Sequence, residues 1–243
     1  MKQTRLGHQF ARAPSDLPAR ASLPRRASTC NLYRVVSPAP YTPAMARHFR
    51  PIPSGAIRVA IPDTTQQTAY SCGASCLQAI CKYYGVGPDD EWEFVRLLRP
   101  DHRLGSDSEP IQRAAKRFGL CYRAYAPMTV AQLKAELRRH HAVLLLIQAW
   151  GRERRLGRLR RRLDYRHEWR DGHWVIAIGF DRDAIYFEDP SLQAVRGYLR
   201  IAELEKRWHH TGHTADRQEH YGLALWHPKR RRSAYTTRAE RVQ

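Results

Sequence analysis

The stretch QQTAYSCGASCLQAICKYYG, residues 66–85, sets Cys72 directly ahead of a run of small residues and a helical pattern. A thiol is a weak nucleophile until it ionises. A helix N-terminus favours the ionised form through its unpaired N–H groups and its macrodipole. Cys72 holds that position, and Gly73, Ala74 and Ser75 leave room for a substrate backbone to approach, which makes Gly73 a candidate substrate-binding residue. The plainer reading of a cysteine is a buried structural thiol. Cys76 and Cys81, on or beside the apolar stripe of the same helix, read that way.

A cysteine nucleophile needs a base, and the base needs a group to orient it. His173 begins the run HWVIAIGF and Asp189 ends the run AIYFEDP. If these two runs form a hairpin, its open end brings the start of one and the end of the other together. Asp189 would then fix the tautomer of His173, and His173 would pair with Cys72. Taken singly, His173 reads as a strand-edge histidine and Asp189 as an Asp-Pro turn; their joint placement is what points to chemistry. Trp174, beside the candidate base, is read with Gly73 as substrate-binding. Acyl transfer also needs donors for a developing oxyanion. A glutamine amide upstream of the cysteine, with the Cys72 N–H, would serve, and both Gln66 and Gln67 are available.

The elements that must position these residues follow from periodicity. AIRVAIP, from about Ala56, reads as a short strand. Residues 73–84 carry Leu77, Ile80, Cys81 and Tyr84 at helical spacing, with Gly85 as the stop. Three more helices are expected: DDEWEFVRLL with its acidic start, SEPIQRAAKRFGL capped by Ser108 and stopped by Gly119, and TVAQLKAELRRH capped by Thr129. The period then changes. AVLLLIQAW is a continuous apolar run of buried-strand length, and HWVIAIGF and AIYFEDP are strands joined by Asp181–Asp183. RIAELEKRWHH reads as a late helix and HYGLALWHP as a final strand. Helices first and sheet second imply an α+β fold with a mainly antiparallel sheet.

Charge is unevenly spread. The 243-residue chain is net +19, of which residues 1–60 carry +9, residues 152–170 carry +6 and residues 229–243 carry +5. The remainder is close to neutral. That counts against a nucleic-acid-binding fold, which carries its basic residues on its own faces, so no specific nucleic-acid partner is expected. Residues 1–55 hold eight of the fifteen prolines and read as a disordered Pro/Arg-rich extension. The extension also resembles a transit peptide in being Arg-rich and acid-poor, and Met45 is an alternative start. Residues 229–243 read as a basic tail. Five cysteines in no scaffold spacing suit a reducing, cytoplasmic setting. No apolar run is long enough for a membrane span. His209, His210 and His213 with a cysteine could make a zinc site, but no paired Cys or His spacing completes a tetrahedral set; no metal or cofactor is expected.

QQTAYSCGASCLQAICKYYG followed by DGHWVIAIGFDRDAIYFEDPS resembles the papain-like, bacteriocin-processing cysteine peptidases of bacteria, which cleave leader peptides after a double glycine. That family's pattern is a Gln, five residues, then Cys-Gly, which selects Gln66 over Gln67. Its His and Asp are sixteen positions apart, as His173 and Asp189 are. The resemblance covers roughly residues 57–227 and implies a papain-like fold over residues 56–228. It implies a thiol protease with Cys72 as nucleophile, His173 as base, Asp189 as its orienter and Gln66 in the oxyanion hole. Family members often precede membrane helices and an ATPase domain, so this chain is similar to the stand-alone members. The expected partner is a peptide or protein substrate, with an acidic peptide as a candidate ligand of the Arg-rich insertion 152–170; the alternative for that insertion is a solvated charged helix. A thiol acyltransferase with the same residues and an inactive peptide-binding module of the same fold are the competing readings.

Overall fold

The structure is a computed structural model and describes residues 50–149, 154–156, 159–161, 165–212 and 217–229. The expectations made for residues 1–49 and 230–243 lie outside the described residues.

The chain builds helices before most of its sheet. Helix α1 (Cys72–Tyr84) is buried at every residue except Lys82. A helix apolar on all sides belongs inside a protein, and α1 packs against α2 (Glu91–Leu98), α3 (Ser108–Arg117) and the sheet. Gly85 ends α1 in the left-handed region at φ 62°, its N–H meeting the carbonyls of Cys81 and Lys82. Asp90 caps α2 by accepting the Trp92 N–H. Helix α4 (Val130–Arg138) starts with a complete capping box between Thr129 and Gln132.

The remaining elements are β1 (Cys121–Tyr125), β2 (Ala142–Gln148), β3 (Arg154–Leu156), β4 (Leu159–Arg161), β5 (Gly172–Phe180), β6 (Ala184–Glu188), β7 (Gly197–Arg200), α5 (Ile201–Arg207), β8 (His209–Thr211), β9 (Arg217–Glu219) and β10 (Gly222–Trp226). Six strands form one antiparallel sheet in the order β1-β10-β2-β5-β6-β7. Every residue of β2 is buried, and so is every residue of β5 after Gly172. These are the central strands, and a strand covered on both faces reads as an unbroken apolar run. The architecture is α+β, as the sequence implies. Among the described residues no helix is long and apolar enough to cross a membrane.

Four expectations are corrected. The segment AIRVAIP forms a single bridge, Ile57 to Gly179, rather than a strand. Its backbone crosses so close to Gly179 that a side chain there would strike the Ala56 carbonyl, and β5 bulges at the same point. Helix α3 takes its N-cap one residue earlier, at Asp107 rather than Ser108. The late helix stops at Arg207, because buried Trp208 turns inward to donate its indole N–H to the Tyr221 carbonyl at 2.8 Å. The Arg-rich insertion contains a short hairpin of β3 with β4 and a 3₁₀ turn at Tyr165–His167, not a charged helix. The side chains of residues 150–164, and the acidic-peptide reading that depends on them, lie outside the described residues.

Candidate active site

Cys72 is the first residue of α1 and Ser71 its N-cap. The helix crosses the start of β5: Cys76, one turn on, donates its thiol to the Trp174 carbonyl at 3.4 Å. That contact sets the N-terminus of α1 over the residue next to His173. The β5–β6 register pairs Ile176 with Glu188. Continued one step, it sets Asp189 opposite Val175 and diagonal to His173, where cross-strand side chains meet. His173 Nε2 and Asp189 Oδ1 are 2.7 Å apart. With Nε2 engaged by the carboxylate, Nδ1 is the ring nitrogen left for the sulfur. Cys72 is among the groups that favour the charged His173 ring.

The trio is nearly dry, with Cys72 5 % exposed and His173 0 %. Burial by itself disfavours a charged imidazole. The charge and hydrogen bond of Asp189, joined by Cys72, outweigh it and raise His173 to about 10. Burial also works against the Asp189 carboxylate, but His173 and Ser191 hold it below its ordinary range. Ser191 donates both its N–H, at 2.9 Å, and its hydroxyl, at 2.7 Å, to Asp189 Oδ1. Cys76 and Cys81 behave as buried structural thiols: burial drives Cys76 well above its ordinary value and Cys81 up to about 12.

The segment before α1 runs beside the loop after β6. The Gln66 N–H donates to the Pro190 carbonyl at 2.9 Å, the Thr64 N–H to Glu188 Oε1 at 3.0 Å, and Arg196 to the Ile61 carbonyl at 2.6 Å. Gln66 therefore lies against the Asp189–Pro190 turn. Its amide donates to the Thr68 carbonyl at 2.7 Å. Gln67 is exposed and uses its backbone N–H on Glu91.

Gly73 and Trp174 are placed differently from the sequence reading. A Cβ on Gly73 would lie 3.0 Å from the Ser106 Cβ and 3.1 Å from Trp174 Cδ1. The missing side chain makes room for these core residues. Trp174 is 1 % exposed and donates its indole N–H to the Ser106 carbonyl at 2.8 Å. It packs beneath α1 and faces away from solvent.

Two supporting residues escaped the sequence reading. Ser191 holds Asp189, and the Asp-Pro turn could have signalled part of it, because an aspartate side chain commonly accepts the backbone N–H two residues on. Gln148 ends the apolar run of β2 and is 0 % exposed. It donates to the His209 carbonyl at 3.0 Å and accepts the Asp171 N–H at 3.1 Å, so it clamps the turn that delivers His173. A polar residue closing an apolar run carries no such signal in sequence. His209 is engaged with the Glu168 carbonyl at 2.6 Å, and His213 lies outside the described residues. Beside Asp189 a cleft of about 690 Å³ opens, lined among others by Val175, Phe187, Leu192, Arg196 and Tyr198.

No family model matches the chain, and no curated protein matches it. Solved structures do. A C39-like peptidase from Bacillus anthracis is 12 % identical with a TM-score of 0.50, over 70 % of this chain and 96 % of that one. The peptidase domain of Streptococcus ComA, a bifunctional ABC transporter of a quorum-sensing pathway, is 13 % identical with a TM-score of 0.49, over 68 % and 96 %. A double-glycine-motif protease from an AMS/PCAT transporter, crystallised with its leader peptide, is 16 % identical with a TM-score of 0.45, over 70 % and 94 %. The resemblance carried by the Cys72 and His173–Asp189 motifs thus has its counterpart in three dimensions: the chain is folded as the papain-like C39 peptidase domains are.

Proposed function

We propose that the protein is a cysteine peptidase acting on peptide or protein substrates. One observation carries the reading: His173 Nε2 is bonded to Asp189 at 2.7 Å, and Cys72, first residue of a helix, is among the groups that favour the charged form of that ring. The Cys72 sulfur, its proton passed to His173, attacks the carbonyl carbon of the scissile bond. The carbonyl oxygen takes the negative charge and meets the Cys72 N–H and the amide hydrogen of Gln66 that Thr68 leaves unused. The C–N bond then breaks and His173 gives its proton to the departing amine, leaving a thioester on Cys72. Water, deprotonated by His173, hydrolyses the thioester, releases the new carboxylate and restores the thiol. Asp189 keeps the ring oriented and balances its charge throughout. Leader peptides with a Gly-Gly junction are the specific substrates that the sequence resemblance implies.

The test is cleavage of a leader-type peptide with a Gly-Gly junction, together with a general peptide substrate, by the full chain and by Cys72→Ala. Cleavage by the native chain and none by the variant supports the reading. Equal background with both would sink it. Aminolysis outpacing hydrolysis when an amine is added would instead establish the acyltransferase.

A further inference from the structure

Glu91 opens α2 and is 2 % exposed. An acid in a first turn usually faces solvent and its own helix's N–H groups. Glu91 turns the other way. Its two carboxylate oxygens accept the Gln67 N–H at 3.2 and 3.1 Å. No described Lys or Arg pairs with it. A buried carboxylate without a cation is costly, and here burial raises its pKa although Ser71 and Gln67 work against the rise.

What this carboxylate touches gives it a task. Gln67 follows Gln66, so Glu91 grips the connecting loop next to its first functional end, and Ser71, bonded back to Thr68, carries the loop on to Cys72. Within the loop, the Thr68 N–H meets Ser71 Oγ at 3.1 Å and the Gln66 amide meets the Thr68 carbonyl at 2.7 Å. Residues 66–71 hold no helix or strand, so these bonds, together with the Gln66 N–H on the Pro190 carbonyl, place the loop that carries the Gln66 amide and leads to the Cys72 N–H. Ser71 makes no side-chain cap bond to α1; its hydroxyl donates to the Thr68 carbonyl at 3.3 Å and so closes the loop on itself.

We propose that Glu91 is a positioning residue for the reaction: it fixes the Gln66–Ser71 loop so that the two oxyanion donors converge on one point. The inference rests on the peptidase reading. An error of about 1 Å in such a constellation can cost on the order of 100-fold in rate.

The experiment uses the full chain with Glu91→Ala, Glu91→Gln and Ser71→Ala. Four quantities are read: kcat and KM on a cleaved peptide, affinity for a peptide aldehyde, the rate of Cys72 alkylation by iodoacetamide, and hydrogen exchange at the Gln67 amide. The aldehyde forms an oxyanion on Cys72, whereas alkylation displaces iodide and forms none. Glu91→Ala is expected to lower kcat and aldehyde affinity by the same factor, about tenfold or more, with KM and alkylation within about twofold. Glu91→Gln keeps an acceptor for Gln67 and should recover most of the loss; Ser71→Ala should lose part of it. If Glu91→Ala does not fold, Glu91→Gln and Ser71→Ala carry the comparison. Unchanged kcat, a parallel fall of alkylation with kcat, or an unaltered Gln67 exchange rate overturns the proposal. A native chain that neither cleaves nor alkylates preferentially at Cys72 sinks the peptidase reading instead, and the exchange rate still reports whether Glu91 holds the loop.

Discussion

Gln66 and Pro190 are joined backbone to backbone, the N–H of one on the carbonyl of the other at 2.9 Å. The loop that enters the candidate nucleophile is thereby tied to the residue after the carboxylate that orients the candidate base. Two distant segments of the chain share one hydrogen bond at the place where their side chains must cooperate.

The first prediction concerns the thiols. Iodoacetamide near pH 6 should label Cys72 well ahead of Cys76 and Cys81, whose burial raises their pKa values. Mass spectrometry of a timed digest reads the order directly. Equal labelling at all three would leave no activated thiol, and with it no peptidase.

Asp189 makes a prediction in pH. His173 is raised from 6.5 to about 10 in the folded chain, so its contribution to stability is whole below about 6.5 and drains away as pH climbs toward 10. The lowered Asp189 works in the opposite sense: its contribution is present above about 4 and is lost in acid. The pair therefore stabilises most between about pH 4 and 6.5. Asp189→Asn removes the charge, and its urea midpoint should fall less than the native protein's between pH 6 and 9.5. An identical decline in both would show that Asp189 does not set the His173 charge.

The same position separates orientation from charge in catalysis. Asp189→Asn keeps an acceptor for the ring, the arrangement of Cys-His-Asn proteases. It should cost less in kcat than Asp189→Ala, for which about 100-fold or more is expected. Steady-state kinetics of the two variants decide, and equal losses would mean that orientation is not what Asp189 supplies.

Gly73→Ala tests the inward reading of that glycine. The added methyl meets Ser106 at 3.0 Å and Trp174 at 3.1 Å, which is overpacking worth about 1–3 kcal/mol. Calorimetry should show a lower Tm. An unchanged Tm would mean that the neighbours give way freely.

Far from the site, Glu136 is fully buried and accepts from Tyr125 at 2.6 Å, from Arg123 at 2.8 Å and from His141 at 2.6 Å. Glu136→Gln should cost about 1–3 kcal/mol in urea unfolding and leave peptide cleavage intact. A loss of cleavage at constant stability would place this cluster in the reaction after all.

Much of the site can be read from sequence because its geometry is local. The hairpin argument needs only two runs and a turn, and it places His173 beside Asp189. Helical spacing and Gly85 fix α1, which puts Cys72 at an N-terminus. What fails is non-local. AIRVAIP has strand composition, but its pairing is decided by how close a backbone can come to Gly179. The strand β1 is exposed along most of its length and lacks an apolar alternation to announce it. Gly73 and Trp174 read as substrate-binding in sequence because one follows the candidate nucleophile and the other the candidate base. The partner that claims them, Ser106, comes from a loop whose position no periodicity encodes. Glu91 escaped for the same reason: an acid in a first turn announces a helix start, and nothing in the sequence says that it faces backwards.

Cys72 arrives with the helical half of the chain, and His173 with Asp189 arrives on the hairpin of the other half. Neither half alone holds both a nucleophile and a base. Under the proposed reading, a copy in which the two halves are not folded together lacks the means to cleave a peptide bond. Competence would then belong to the folded whole and to neither of its parts.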